Sequence, residues 1–246
     1  MKTTYSAILS LLAFISVLPL FGCEKAASSG KSPEADVVNT SARSPSKERT
    51  ADYMRFLVAH HAAAKDNEES FAKTIPELAR LQAAFHAWRT QQLGIPPSYA
   101  EVTASLRRDL ARFNKLTNAI DYTHIDPSIA SAHKTLMVGS RKVMLAHIKV
   151  LDAYTDLNTI VMARQPPPAW AERKLADITI PLGTVIGEAL DRIQQFHRDQ
   201  KSDEEQAQAN VKKYQDAIEA NAPENWNELT VAAIKQTGYG QTGDKK

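Results

Sequence analysis

The sequence predicts an all-α protein: an elongated, antiparallel, up-and-down bundle of four to five long helices with a short additional terminal helix, preceded by a disordered tether. Three observations predict it. Ala, Leu, Gln, Glu, Lys and Arg dominate the middle of the chain, and the 246 residues include only nine glycines. Apolar residues recur every seven positions over long stretches. No stretch alternates with a period of two, and no hairpin turn is evident.

The first helical run carries Phe71, Leu78 and Phe85, with Leu81 and Trp88 three residues after the latter two. Gly94 and the following Ile95-Pro96-Pro97-Ser98 end it and begin the next. The second run repeats the pattern through Tyr99, Leu106, Phe113 and Ile120, with Val102, Leu110 and Leu116 near the intervening positions. In the third, Ile129, Leu136, Val143, Val150 and Leu157 are each followed three residues later by Ala132, Gly139, Ala146, Ala153 and Ile160. One seam position is large and the other small over four heptads, which predicts close approach of a neighbouring helix. Asp126 before Pro127 is an N-cap followed by proline at the first helical position. The Gln165-Pro166-Pro167-Pro168 segment stops the run.

The pattern resumes from Leu175 to Phe196, with a break predicted between Asp177 and Pro181. Ser202-Asp203-Glu204-Glu205 reads as a capping box, predicting a new helix through Val211, Tyr214 and Ile218. A short last helix follows Pro223, carries Trp226, Leu229 and Ile234, and ends near Gly238.

The start of the chain has a different character. Lys2 precedes an apolar run from Ala7 to Phe21, shorter than the roughly twenty residues a spanning helix needs. A positive start and a short apolar run read as a secretory signal. Leu20-Phe21-Gly22-Cys23 resembles the lipobox of bacterial lipoproteins, with an aliphatic residue three before the cysteine and a small one immediately before it. The resemblance covers residues 1–23 only. It implies cleavage after Gly22 and acylation of Cys23, so that several acyl chains hold the protein to a lipid bilayer. Glu24 follows; aspartate at that place favours inner-membrane retention in enterobacterial members, so the resemblance implies the outer membrane.

Residues 24–49 are rich in Ser, Ala, Pro and Lys without apolar periodicity, which marks a tether spanning roughly 28 Å. The organisation expected is therefore a signal peptide over 1–22, a lipidated tether over 23–49, a bundle over 50–237 and a flexible tail over 238–246.

The formal charge of +2 falls by one when Lys2 leaves with the signal, and a near-neutral chain argues against nucleic acid as a partner. Cys23 is the only cysteine, so no disulfide, thiolate zinc site, cysteine nucleophile or haem-attachment motif exists in this chain.

The seven histidines are the remaining candidates for chemistry. His133 and His147, with Met137 and Met144, form a stripe that suggests soft copper ligation. Fourteen residues of helix separate the two histidines by about 21 Å, so they cannot share an ion, and core packing is the expected role. Asp121, His124 and Asp126 fall in one loop whose donors suit zinc, but Asp126 is better used as the cap. His60 and His61 are adjacent, about 100° apart on a helix, and are not expected to converge. No Glu-x-x-His or His-Glu-x-x-His pattern occurs. Ser131 to Lys134 matches Ser-x-x-Lys, but so do two segments of the tether, and the partner motifs are absent. Arg107, Arg108, Arg112 and Lys115 make a cationic stripe expected to be a solvated face with internal ion pairs, Asp109 among them. Glu188 and Arg192 are expected to pair four residues apart.

The expectation is a membrane-anchored envelope lipoprotein facing the periplasm, whose helical domain is a non-enzymatic protein-binding, scaffold or immunity-type module without catalytic residues, cofactor or metal. The competing expectation is a carrier or sensor of a small ligand or metal within the bundle.

Overall fold

The computed structural model describes residues 47–91, 95–163 and 182–239. Among them are five helices and no strand: α1 (Lys47–Gln91), α2 (Ala100–Asn118), α3 (Pro127–Ala163), α4 (Leu182–Asn221) and α5 (Trp226–Thr237). No described helix is long and apolar enough to cross a membrane. Cys23, the tether before residue 47, the break expected near Asp177 to Pro181 and the tail from residue 240 lie outside the described residues.

Consecutive helices pack on one another from α1 to α4, and α5 returns to α1. The heptads explain this. Phe71, Leu78 and Leu81 of α1 and Val102, Leu106 and Phe113 of α2 are buried, as are Ile129, Leu136 and Leu157 of α3. Fully burying one such side chain contributes about 1.5–3 kcal/mol. That burial carries α1 through Pro76, which lies inside the helix and removes one backbone donor.

The helix boundaries follow local chemistry. At the start of α3 the Asp126 carboxylate accepts from the Ser128 amide at 2.8 Å and the Ile129 amide at 3.3 Å, satisfying donors that the first turn leaves free. Asp126→Ala should therefore lower stability by about 1 kcal/mol, measured as a shift of the denaturant midpoint at constant slope. Gly238 closes α5 with a left-handed φ of 64°, a conformation that suits glycine. Lys65 of α1 donates to the Thr237 carbonyl at 3.0 Å, which ties that last turn to the body.

Two boundaries differ from expectation. α1 begins at Lys47, before the domain boundary placed at residue 50, and Tyr239 is buried beyond the boundary placed at 237. The capping box at Ser202 to Glu205 opens no helix: α4 runs unbroken from Leu182 to Asn221. Glu204 accepts from the Gln200 side chain, one turn earlier, at 2.7 Å, and both are buried. With no Gly or Pro beside it to break the backbone, a matching four-residue pattern stays inside a helix.

The α3–α4 seam is lined by small residues. Gly139, Ala146 and Ala153 of α3 are buried, and Val143 packs on Ala207 of α4. A Cβ on Gly139 would lie 2.7 Å from Asn210 Nδ2 and 3.5 Å from the Ala207 Cα. The small seam residues therefore do what their spacing predicts: they let two long helices approach.

Candidate functional site

The chemistry-bearing side chains gather where α1, α3, α4 and α5 meet. On α1, Tyr53, Phe56, Leu57, His60 and Ala64 recur at helical spacing and are buried, so His60 sits on an apolar face. On α3, His133 lies one turn from both Ile129 and Leu136 and is fully buried. Across the two helices, His133 Nε2 and His60 Nδ1 are 2.9 Å apart. The other nitrogen of His133, Nδ1, is 2.8 Å from the Tyr122 hydroxyl. Both nitrogens of His133 are thus engaged in hydrogen bonds. The three groups form a chain whose protons can be ordered in either sense. In one, Tyr122 donates to His133 and His133 donates to His60; in the other both donations reverse.

Rings fill the space around this chain. Phe56 and Tyr214 meet the His133 ring edge-on, with centroids 4.9 and 5.0 Å away. The His61 ring lies 5.1 Å from that of His60 and stacks on Tyr239 at 5.4 Å. His60 and His61 do not point the same way, yet both rings belong to one cluster, because His60 reaches inward to α3 and His61 reaches toward the end of α5. Between Leu57, His60, His61, Tyr214, Trp226 and Thr230 remains a space of about 10 Å³. That is room for about one water-sized sphere. Both nitrogens of His61, the indole nitrogen of Trp226 and the Thr230 hydroxyl are buried without a protein partner among the described residues.

Burial decides the charge of the cluster. It pushes His133 down to about 3 and His61 down to about 4 from the ordinary 6.5. His60 is also held well below that value, first by burial and then by His133 and His61. Tyr122 is pushed up to about 12 by burial, and Tyr214 is raised for the same reason. At neutral pH the whole cluster is uncharged.

A second polar network lies farther along α3. His147 Nδ1 bonds the Val143 carbonyl at 2.8 Å, and its Nε2 lies 3.0 Å from the Gln200 amide. Glu204 Oε1 stands 3.7 Å from His147 Nε2. Tyr154 reaches His197 at 3.1 Å. Burial lowers the pKa of His147, while Glu204 pulls it upward. Met137 and Met144 are buried beside these residues on α3, so the His-Met stripe is divided between two separate hydrogen-bonded networks. Among the described residues no three His, Cys, Asp or Glu side chains are grouped to hold a metal ion.

The loop residues are used structurally. Asp121 accepts from the Thr123 amide at 2.8 Å, and Asp126 caps α3. His124 adopts a left-handed φ of 61° and bonds Asp52 of α1 at 2.8 Å through Nδ1. Asp52 is buried and also pairs with Arg55. Ser131 is exposed, and the Lys134 ammonium lies 4.6 Å over the Tyr122 ring. In the cationic stripe of α2, Arg112 pairs with Asp66 and Asp109, and Arg107 with Asp152. Arg192 pairs with Asp156 of α3, at 3.9 Å, rather than with Glu188, and lies against the Phe196 ring.

Sequence reasoning missed the His60–His133 contact. The signal was present in part: both residues fall on buried faces by their spacing. Their pairing depends on the axial register of α1 against α3, which spacing within one helix does not contain.

No family model, curated protein or solved structure matches this chain.

Proposed function

We propose that the chain is a lipid-anchored envelope protein whose helical domain works as a non-enzymatic binding or scaffold module facing the periplasm. The observation that carries this reading is the contrast between its interior and its surface. The histidine cluster is neutral and adjoins a space of about 10 Å³, too small for a substrate. Open concavities of about 390 and 230 Å³ lie instead along the outside of the α3–α4 seam. The second has an apolar floor at Ala153, Ile160, Val185 and Ala189 and charged residues at Asp156, Glu188 and Arg192. An apolar floor with a polar rim is the anatomy of a protein-binding patch.

The anchor rests on the lipobox resemblance at Cys23 and the tether that follows it. Cys23→Ala should move the protein out of the membrane fraction or leave it unprocessed. Unchanged fractionation and mass of that variant would contradict the anchor. The binding role is tested by crosslinking in cells with a photoreactive group at Ile160 or Val185. Recovery of one discrete protein partner supports it; crosslinks to no protein overturn it.

A further inference from the structure

The outer face of α3 carries a regular pattern of exposed side chains, of which Lys134 has a contact with the bundle, over the Tyr122 ring. Lys134, Val138, Lys142, Leu145 and Lys149 follow one another at spacings of four, four, three and four, and all are exposed. They make one stripe about 22 Å long, in which cations alternate with apolar side chains. Val138 is 50% exposed and Leu145 40%. Lys213 of α4 faces the same groove as Lys134 and Lys142, which has a volume of about 390 Å³. None of these four lysines forms an ion pair with a carboxylate among the described residues. Asp203 is the only acidic residue lining the groove. On α2, by comparison, Arg107 and Arg112 are matched by aspartates of neighbouring helices, while Arg108 and Lys115 form no ion pair among the described residues.

We propose that this stripe docks on a lipid surface bearing anionic headgroups, the ammonium groups meeting phosphates while Val138 and Leu145 enter the boundary between headgroups and acyl chains. Charge complementarity and the alternation argue for it. A purely electrostatic contact has no use for exposed Val and Leu, and a purely apolar one has no use for lysines without carboxylate partners. Each lysine near an anionic membrane adds about 1 kcal/mol, so the stripe by itself binds weakly. A tether changes that arithmetic, because it holds the face at a local concentration in the millimolar range. The inference therefore draws its biological strength from the anchor proposed at Cys23, although the stripe itself is independent of it. Docking here would lay α3 along the bilayer.

The test uses the full chain carrying Cys23→Ser and Leu145→Cys, labelled at residue 145 with a polarity-sensitive fluorophore. The label reports the stripe whatever holds the N-terminus. Vesicles containing about one third phosphatidylglycerol should shift its emission to the blue, and pure phosphatidylcholine vesicles should not. High salt should abolish the shift, because exposed charges are screened. Lys134→Glu, Lys142→Glu and Lys149→Glu together should weaken vesicle binding at the stripe about a hundred-fold, as the loss of three lysine contacts implies. Circular dichroism checks that this variant, altered only at exposed positions, keeps its fold. An equal shift with neutral vesicles, or one untouched by the triple substitution, overturns the proposal. A blue shift with an oligoglutamate peptide and none with anionic vesicles overturns it in favour of an acidic protein partner, and a response to inorganic phosphate alone overturns it in favour of a free anion. Failure here leaves the crosslinking result at Ile160 or Val185 unaffected, so the two readings fall separately.

Discussion

Acidification from about pH 7 to about pH 4.5 should remove roughly 5 kcal/mol of folding stability through His61 and His133 alone. In the unfolded chain each imidazole takes up a proton near 6.5; in the fold His61 resists until about 4 and His133 until about 3. Between those values the unfolded chain holds more protons, so stability falls as pH falls. It is fully present above about 6.5 and declines by about 1.4 kcal/mol per pH unit for each ring. His60 adds to the loss in the same direction. No carboxylate pairs with any of the three among the described residues, so nothing compensates a proton arriving there. Against a typical total of about 5–15 kcal/mol, the domain should unfold in mild acid. Urea titrations followed by circular dichroism across this range give the slope directly. The companion variant is His60→Phe with His133→Phe. Removing both partners of one hydrogen bond leaves little unsatisfied, and Tyr122 is half-exposed and can turn to solvent. That double variant should fold at pH 7 with a pH slope smaller by about 1.4 kcal/mol per unit for each ring removed. A stability that stays flat from about pH 7 to about pH 4.5 in the unmodified protein would show that the rings are not sealed from water.

Enlarging the α3–α4 seam should be the next most damaging change. Ala146 is 6% exposed and Gly139 faces Ala207 and Asn210. Ala146→Leu inserts three carbons at a buried position of the heptad seam and should cost about 1–3 kcal/mol. Gly139→Leu should cost at least as much, since even its Cβ must displace the Asn210 amide, which bonds the Thr135 carbonyl at 3.3 Å. Part of that cost is offset because glycine is a poor helix former, by about 1 kcal/mol. Val138→Ala, on the outer face of the same helix, should move the midpoint by no more than about 0.5 kcal/mol and serves as the control. A denaturant midpoint unchanged in Ala146→Leu would mean that the helices can separate freely at this level.

Much of the architecture was legible before any coordinates. Heptads anchored by Phe71, Leu106 and Ile129 marked buried faces, and those faces are buried. Pro127 after Asp126 marked the start of α3, and Gly238 marked the end of α5. The small seam of α3 announced a close neighbour. These features are local: a cap, a stop or a face is set by residues within one or two turns of each other. The capping box at Ser202 misleads for the same reason: its signal is equally local, and without a Gly or Pro beside it α4 continues through it, with Gln200 bonded to Glu204 one turn on.

The sequence by itself determined the all-α class, the buried faces of the helices, the absence of thiol chemistry after Cys23 and the small residues that admit a partner. Only the tertiary structure decided that the partner is α4, that His60 meets His133, and that Arg112 is paired while Lys142 is not. Residues 73 apart touch because two rods settle at one axial register, and that register is chosen by the packing of every side chain between them rather than by any short stretch of the chain.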